Sequence, residues 1–239
     1  MHTKQFFSKS LLVILASGVF IISSAHFQKT DKVIQIDVSA ILNTRSVTTL
    51  TKGKLVMWAT GIDKEHGYLT MAASAFMGDH DPHALPDNPL YPANQSHPEI
   101  LLHYSNDDDT KHQTRCVSDS GKFEFKVPLN KYSDMYLSMT SSYGASSLQI
   151  ELRYTDGVDL KHFVLPDWYK DIPADDPNLS YVAHNMGKWG TKNNLAEKDH
   201  HNIDALNIHP DPTRILKGIK LSKPLGGYLV FWAATGVVQ

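Results

Sequence analysis

The stretch that decides the fold is residues 122–168, which reads KFEFKVPLNKYSDMYLSMTSSYGASSLQIELRYTDGVDLKHFVLPDW. Apolar and polar residues alternate strictly over 123–127 and again over 148–154. Period-two alternation is typical of a strand that has one buried face and one wet face. Asp156-Gly157 then predicts a hairpin turn, because glycine tolerates positive φ. The stretch therefore predicts an antiparallel β-sandwich.

The rest of the chain extends this pattern. Further strands are predicted at 33–38, 54–60, 100–104, 134–140, 160–165, 204–209, 216–221 and 228–234. The last of them is apolar on both faces, which predicts a central position. No strong helical period is present after the N-terminal region. Short strands with turn signals about every ten residues predict an all-β fold, a β-sandwich or jelly roll.

The N-terminus has the features of a secretory signal peptide. Lys4 and Lys9 precede an apolar run over 11–22, and small residues follow at Ser23 and Ala25. The run is short for a membrane span, so we expect cleavage near Ala25 and a secreted or periplasmic location. An uncleaved anchor is the alternative. Residues 26–239 then form a single β-sandwich domain without a membrane segment.

The net charge bears on nucleic-acid binding, and the cysteine count bears on disulfide bonds. The net charge of −2 gives no basic patch of the kind that nucleic-acid binding requires. The chain has one cysteine, Cys116, so no intrachain disulfide is expected. Cys116 fits no nucleophile motif, and a small half-buried side chain is the expected role.

A family resemblance rests on several motifs within residues 122–236. They are the strand and KYS turn KFEFKVPLNKYS, the YTDG hairpin, the LPDW loop and the ALNIHPDPTRILKGIKL segment. The matched positions are Lys131, Tyr132, Ser133, Tyr154, Asp156, Gly157, Trp168, Asp211, Pro212, Arg214, Leu216, Ile219 and Leu221. Together they resemble the galactose-binding-like jelly-roll modules of secreted bacterial polysaccharide-degrading enzymes. The resemblance implies a jelly-roll fold. It also implies carbohydrate binding, but one fold hosts many functions, so this implication is the weaker of the two.

Residues 166–202 are predicted to be a long irregular loop that carries the ligand site. Flat aromatic faces can stack on sugar rings, and amide or imidazole groups can bind hydroxyls. The candidate ligand-binding residues are Trp168, Tyr169, Tyr181, Asn185, Trp189, Asn194 and His201. The alternative for Trp168 and Trp189 is that they plug the ends of the core.

A second candidate site lies in the proline-rich segment 78–99, also predicted to be a loop. Asp79, His80, Asp81 and His83 combine carboxylate and imidazole groups, which zinc sites commonly do. No HExxH frame is present, and an ordinary solvated loop is the alternative. The acidic turn 107–109 is a candidate for a structural calcium ion. Calcium and zinc are the cofactors that the sequence suggests.

Three functions remain open at this point. The favoured hypothesis is a secreted noncatalytic carbohydrate-binding β-sandwich with no catalytic residues. The second is a metal-assisted hydrolase or polysaccharide-cleaving enzyme that uses His and Asp at the loop rim. The third is a structural or adhesion protein without a small ligand. The oligomeric state cannot be predicted from these patterns.

Overall fold

The computed structural model describes residues 31–79 and 83–238, and these residues form an all-β protein. The strands are β1 (Lys32–Ile36), β2 (Val47–Thr51), β3 (Lys54–Val56), β4 (His66–Leu69), β5 (Leu90–Tyr91), β6 (Ile100–Leu101), β7 (Arg115–Val117), β8 (Gly121–Asn130), β9 (Tyr132–Tyr154), β10 (Val158–Leu165), β11 (Leu179–Gly190), β12 (Leu195–Asn207) and β13 (Leu216–Val238). Helical structure here comprises a 3-10 turn, Ser39–Ile41, and a six-residue helix, α1 (Met71–Phe76). Within the described ranges, no helix is long and apolar enough to cross a membrane. The predicted signal peptide lies outside them.

Two long strands organise the main sheet. β9 and β13 each contain 23 residues and pair antiparallel along their length. β13 is flanked on its other side by β1, β7 and β8, so the prediction of a central last strand is confirmed. β9 is flanked by β10 and β12, and β12 continues the sheet into β11, β4, β2 and β3. Apart from the parallel β2–β4 pair, these pairings are antiparallel.

The sandwich forms because both long strands are interrupted in the middle. Tyr143 and Gly144 have positive φ in β9, and the β9–β13 register shifts near Gly226, which also has positive φ. The two halves of the long strands bring their apolar faces into one core. Leu137 and Met139 from one half belong to the same buried cluster as Ile150 and Leu152 from the other.

Residues 132–142 of β9 pair with residues 228–238 of β13 and form what is called here the second half-sheet. The chain between β1 and β8 covers its outer face. Its apolar side chains, such as Ile62, Tyr68 and Leu102, form a second buried cluster with Trp168 and Trp232. The second half-sheet is therefore buried on both faces, which explains why β13 is apolar on both faces after residue 228.

Within residues 122–168, the structure confirms the strand face that the alternation over 148–154 predicts to be buried. Ile150, Leu152 and Tyr154 are fully buried, and β9 connects to β10 by a hairpin that the Tyr154 N–H closes onto the Gly157 carbonyl at 2.8 Å. The expected reason for Gly157 is wrong, because its φ is not positive. A Cβ there would lie 3.1 Å from Nη2 of Arg214, so a side chain at this position requires the guanidinium to shift slightly.

Several sequence expectations are corrected. The strands predicted at 134–140 and 147–155 are one continuous β9, and those at 216–221 and 228–234 are one β13. The strand predicted at 54–60 ends at Val56. The short helix α1 was not expected, and the Thr70 hydroxyl caps it by accepting the Ala73 N–H at 3.3 Å. The all-β sandwich is confirmed, whereas the jelly-roll topology stays a prediction.

Candidate functional site

The segment 166–202 is mostly a β-hairpin, so the prediction of a long loop is wrong. β11 and β12 cover 179–190 and 195–207. Their pairing shifts register at four places between Tyr181 and Trp189. Asn185 and His200 also have positive φ. Bulges of this kind break the period-two pattern and re-aim side chains, which is why the sequence did not read as strands here.

Both tryptophans proposed as sugar platforms are buried. Trp168 and Trp189 are each 1% exposed. Trp168 lies between the rings of Tyr68 and His201, at centroid distances of 6.3 and 4.6 Å. Trp189 belongs to a small core cluster with Leu69 and the α1 residue Ala73. The expectation that Trp189 is an exposed stacking surface is therefore wrong, since burial against apolar neighbours gives it a core role.

Tyr169 and His201 come together with two residues that the sequence analysis did not single out, Lys188 and Glu197. The Lys188 ammonium donates to the Tyr169 hydroxyl and lies 3.1 Å from Oε1 of Glu197. The Tyr169 hydroxyl donates to Oε2 of Glu197 at 2.8 Å. These three side chains, called here the Lys188 latch, fasten the segment after β10 to the β11–β12 hairpin.

The aromatic rings beside the latch also stabilise the buried cation. Lys188 Nζ lies 5.0 Å from the centre of the Tyr169 ring and 5.7 Å from that of Trp168. Burial lowers the pKa of Lys188, but the bonds to Tyr169 and Glu197 outweigh it and raise the pKa. For Glu197, burial raises the pKa, while the bonds from Tyr169 and Lys188 lower it overall. Lys188 and Glu197 therefore remain a charged, mutually neutralising pair.

His201 lies beneath this pair without exposure to solvent. Its Nδ1 is 2.8 Å from the Met186 carbonyl, and its Nε2 is 3.4 Å from Oε2 of Glu197. Burial lowers the pKa of His201. The neutral ring packs edge-on against Trp168 and Tyr169. His201 therefore supports the site from below and is not on a ligand-facing rim.

Tyr143 is a second exposed tyrosine, and the turn that carries it is tied to Tyr169 through Asp167. One carboxylate, that of Asp167, accepts the Gly144 N–H at one oxygen and the Tyr169 N–H at the other, the latter at 3.0 Å. The Trp168 N–H also donates to the Ser141 carbonyl at 2.7 Å. Tyr143 is 63% exposed and Tyr169 is 40% exposed. The fold thus holds two solvent-facing tyrosines on one shared support.

The electrostatic surroundings place Tyr143 near the latch. Burial raises the pKa of the Tyr143 phenol, the carboxylates of Asp63 and Glu65 raise it further, and Lys188 opposes them. The phenol is therefore within the electrostatic range of both acids and of the latch cation. Tyr143, Tyr169, Lys188 and Glu197 are together called here the two-tyrosine face.

The other predicted ligand residues lie apart from this face or serve the turn. Tyr181 stacks on His184 at 4.2 Å, and its hydroxyl accepts the Ile172 N–H at 2.9 Å. Asn185 is exposed, and its N–H donates to the Asn202 side chain at 3.2 Å. Asn194 is exposed in the β11–β12 turn, where its carbonyl accepts the Gly190 N–H at 2.9 Å.

The proline-rich segment does contact the hairpin. The His83 carbonyl accepts the Gly187 N–H at 2.9 Å, and Nε2 of His97 lies 3.1 Å from the Tyr181 carbonyl. His80 and Asp81 of the proposed metal set lie outside the described residues. Over 31–79 and 83–238, no group of three or more His, Cys, Asp or Glu residues is arranged to hold a metal ion.

The acidic turn 107–109 has a structural use. Oδ1 of Asp108 accepts the N–H groups of Thr110 and Lys111, at 2.8 and 3.0 Å. A carboxylate that accepts backbone N–H groups two and three residues later forms a side-chain-closed turn. The structure gives the predicted calcium site no further support.

No protein-family model matches the chain, and no curated protein matches it.

Proposed function

We propose that the protein is a secreted, noncatalytic carbohydrate-binding β-sandwich and that the two-tyrosine face is its ligand surface. One observation carries the proposal: the Asp167 carboxylate ties the Tyr143-Gly144 turn to Tyr169, both tyrosines are exposed, and Tyr169 binds a charged Lys188–Glu197 pair. Sugar rings present apolar C–H faces and a rim of hydroxyls. Tyrosine rings suit the first, and the phenols and the half-exposed Glu197 carboxylate suit the second.

The backbone of Tyr143 supports the same assignment. Its φ is 58°, in the left-handed region that favours glycine. A bulky residue there costs about 1–2 kcal/mol. Because the ring is mostly in water, packing returns little of that cost. An exposed aromatic at a strained turn is a recurrent feature of binding sites.

The binding experiment compares the parent protein with Tyr143→Gly and Tyr169→Ala on a glycan array and on insoluble polysaccharides. We expect both variants to lose binding. Tyr143→Gly should melt at the same or a higher temperature than the parent, because glycine relieves the positive φ. Phe76→Ala, which removes an exposed aromatic from α1, is the matched control and should bind normally. Retained glycan binding in Tyr143→Gly and Tyr169→Ala would refute the assignment.

The enzyme hypothesis has less support at this face. Glu197 accepts from both Tyr169 and Lys188, so neither its carboxylate nor the ammonium is left as an unpaired acid or base. A hydrolase needs a general acid and base that reach the substrate in the correct protonation states. Metal assistance through Asp79, His80, Asp81 and His83 stays a prediction.

A structural or adhesion protein is the second candidate, and a specific observation favours it. The burial of both Trp168 and Trp189 removes the tryptophans from the rim. A protein of this class would show no glycan binding in the array, and Tyr143→Gly would then change no measured interaction with sugars.

A further inference from the structure

The open edges of the main sheet differ in how they are protected. β1, β3 and β7 have five, three and three residues, and short edge strands give little template for pairing. The longer β8 carries Lys122, Lys126 and Pro128, which are typical devices against edge-to-edge pairing. β10 has eight residues, contains one lysine, Lys161, and no proline, and pairs only with β9 among the described residues.

The hairpin fixes which backbone groups of β10 are open. The Tyr154 N–H bonds to the Gly157 carbonyl, so these two residues are a hydrogen-bonded pair. In an antiparallel ladder, such pairs alternate with non-bonded pairs. The register that starts at Val158↔Arg153 therefore turns the N–H and C=O groups of the even residues 158–164 away from β9 and towards the open edge.

The side chains of the same even residues form an exposed stripe that is apolar apart from His162. Val158, Leu160 and Val164 are 57%, 56% and 61% exposed. Val164 is also opposite Ser147 in β9, and Ser147 is opposite the exposed Leu225 in β13. The stripe therefore continues across the sheet. An open strand edge with an apolar face is an association surface.

We propose that β10 pairs antiparallel with β10 of a second copy of this chain to form a two-fold symmetric dimer. A symmetric interface requires a patch that is complementary to itself. β10 meets this condition about Lys161: Val158 lies opposite Val164 of the second copy, and Leu160 lies opposite His162. In this register, all outward N–H and C=O groups of residues 158–164 find partners.

Lys161 makes the like-charge contact of this register. The two Lys161 residues face each other across the two-fold axis, which weakens association, and each ammonium donates to the carbonyl of His209 in its own chain. Their side chains leave on the opposite face from the apolar stripe, because neighbouring strand residues point to opposite faces. The apolar face of the interface therefore carries no buried acid or ammonium.

Sedimentation of the purified protein from micromolar to near-millimolar concentration tests the proposal. We expect a monomer–dimer equilibrium in the parent. Val164→Glu should weaken it more than about tenfold, because the carboxylate would lie opposite Val158 of the second copy and be desolvated without a partner. Leu129→Glu, on the exposed surface of β8, is the control and should associate like the parent. A parent that stays monomeric throughout, or a Val164→Glu variant that associates equally well, would overturn the proposal.

Cross-linking tests the register. Leu160→Cys with His162→Cys, in a Cys116→Ser background, should form a covalent dimer on mild oxidation, since directly opposite residues have Cα atoms about 5.5 Å apart, within disulfide range. Glu124→Cys with Lys126→Cys on β8 is the matched control and should stay monomeric. Dimers that persist without cross-linking at residues 160 and 162 would place the interface elsewhere and overturn the proposal.

Discussion

The ammonium of Lys188 lies 5.0 Å from the centre of the Tyr169 ring and also donates to the hydroxyl of that ring. The lysine stem is buried, whereas about half of the Glu197 side chain, which completes the latch, faces solvent. The two charges of the latch therefore have unequal access to water. Unequal access means that removing one partner or the other has different energetic consequences.

Glu197→Ala is expected to destabilise the protein more than Lys188→Met. Removing Glu197 leaves a buried ammonium without its counter-charge, at a cost of about 1–3 kcal/mol. Methionine in place of Lys188 fills the same space between Trp168 and Tyr169, and the freed carboxylate can turn to water. Urea unfolding of both variants at neutral pH measures the difference. A larger loss for Lys188→Met would mean that the cation–π contacts dominate the latch.

Trp189→Ala should lower the free energy of unfolding by about 3–5 kcal/mol, the usual cost of truncating a buried aromatic. The ring packs with Leu69, Ala73 and Ala84, so the substitution leaves a cavity beside α1. At a temperature where the variant stays folded, glycan binding should be close to that of the parent. Chemical denaturation and the glycan array together check this. Normal stability with lost binding would instead return Trp189 to the ligand surface.

Tyr154→Ala should cost about 3–5 kcal/mol, and Glu151→Ala should cost less than about 1 kcal/mol. Tyr154 is fully buried and its hydroxyl accepts the Asp211 N–H at 2.8 Å, whereas Glu151 makes partly exposed ion pairs with Arg153 and Lys220. The two substitutions lie on opposite faces of β9. Comparable losses in urea melts would contradict the register of this strand.

The fold could be predicted where periodicity was undisturbed. Ile150, Leu152 and Tyr154 alternate without a bulge, so the pattern gave both their strand and their buried face. The β11–β12 hairpin could not be read this way, because its register shifts between Tyr181 and Trp189 carry several successive residues off the period. Polar residues such as Asn185 then look like a loop although they lie within a strand.

The candidate site was only partly predictable. Tyr169 was named from its loop-like surroundings, but its partners Lys188 and Glu197 lie nineteen and twenty-eight residues away and meet it only through the hairpin. Tyr143 gave one usable signal: the Tyr143-Gly144 pair interrupts the alternation within a run of serines. The burial of Trp168 agrees with the alternative that it plugs the core, although the layer that covers it comes from the weakly patterned residues before β8.

Asp204 makes the stability of the protein depend on pH. Its carboxyl group is buried in β12, Oδ1 has no hydrogen-bond partner within the described part of the chain, and burial raises the pKa to about 8. The unfolded value is about 3.9, so folding takes up a proton between these two values. The free energy of unfolding should then fall as pH rises, by about 1.4 kcal/mol per unit at most, and level off above about pH 8.

Asp204→Asn should remove this dependence, because the amide keeps the shape of the side chain without a titrating proton. We expect the variant to gain stability relative to the parent as the pH rises from about 7 to about 8, and the difference to be constant beyond that. His201 does not interfere in this pH range. Its pKa is lowered by burial, so its protonation reduces stability at acidic pH and not as the pH rises. Urea unfolding of both proteins across this range provides the measurement. Parallel pH profiles for parent and variant would show that Asp204 is already ionised in the folded protein.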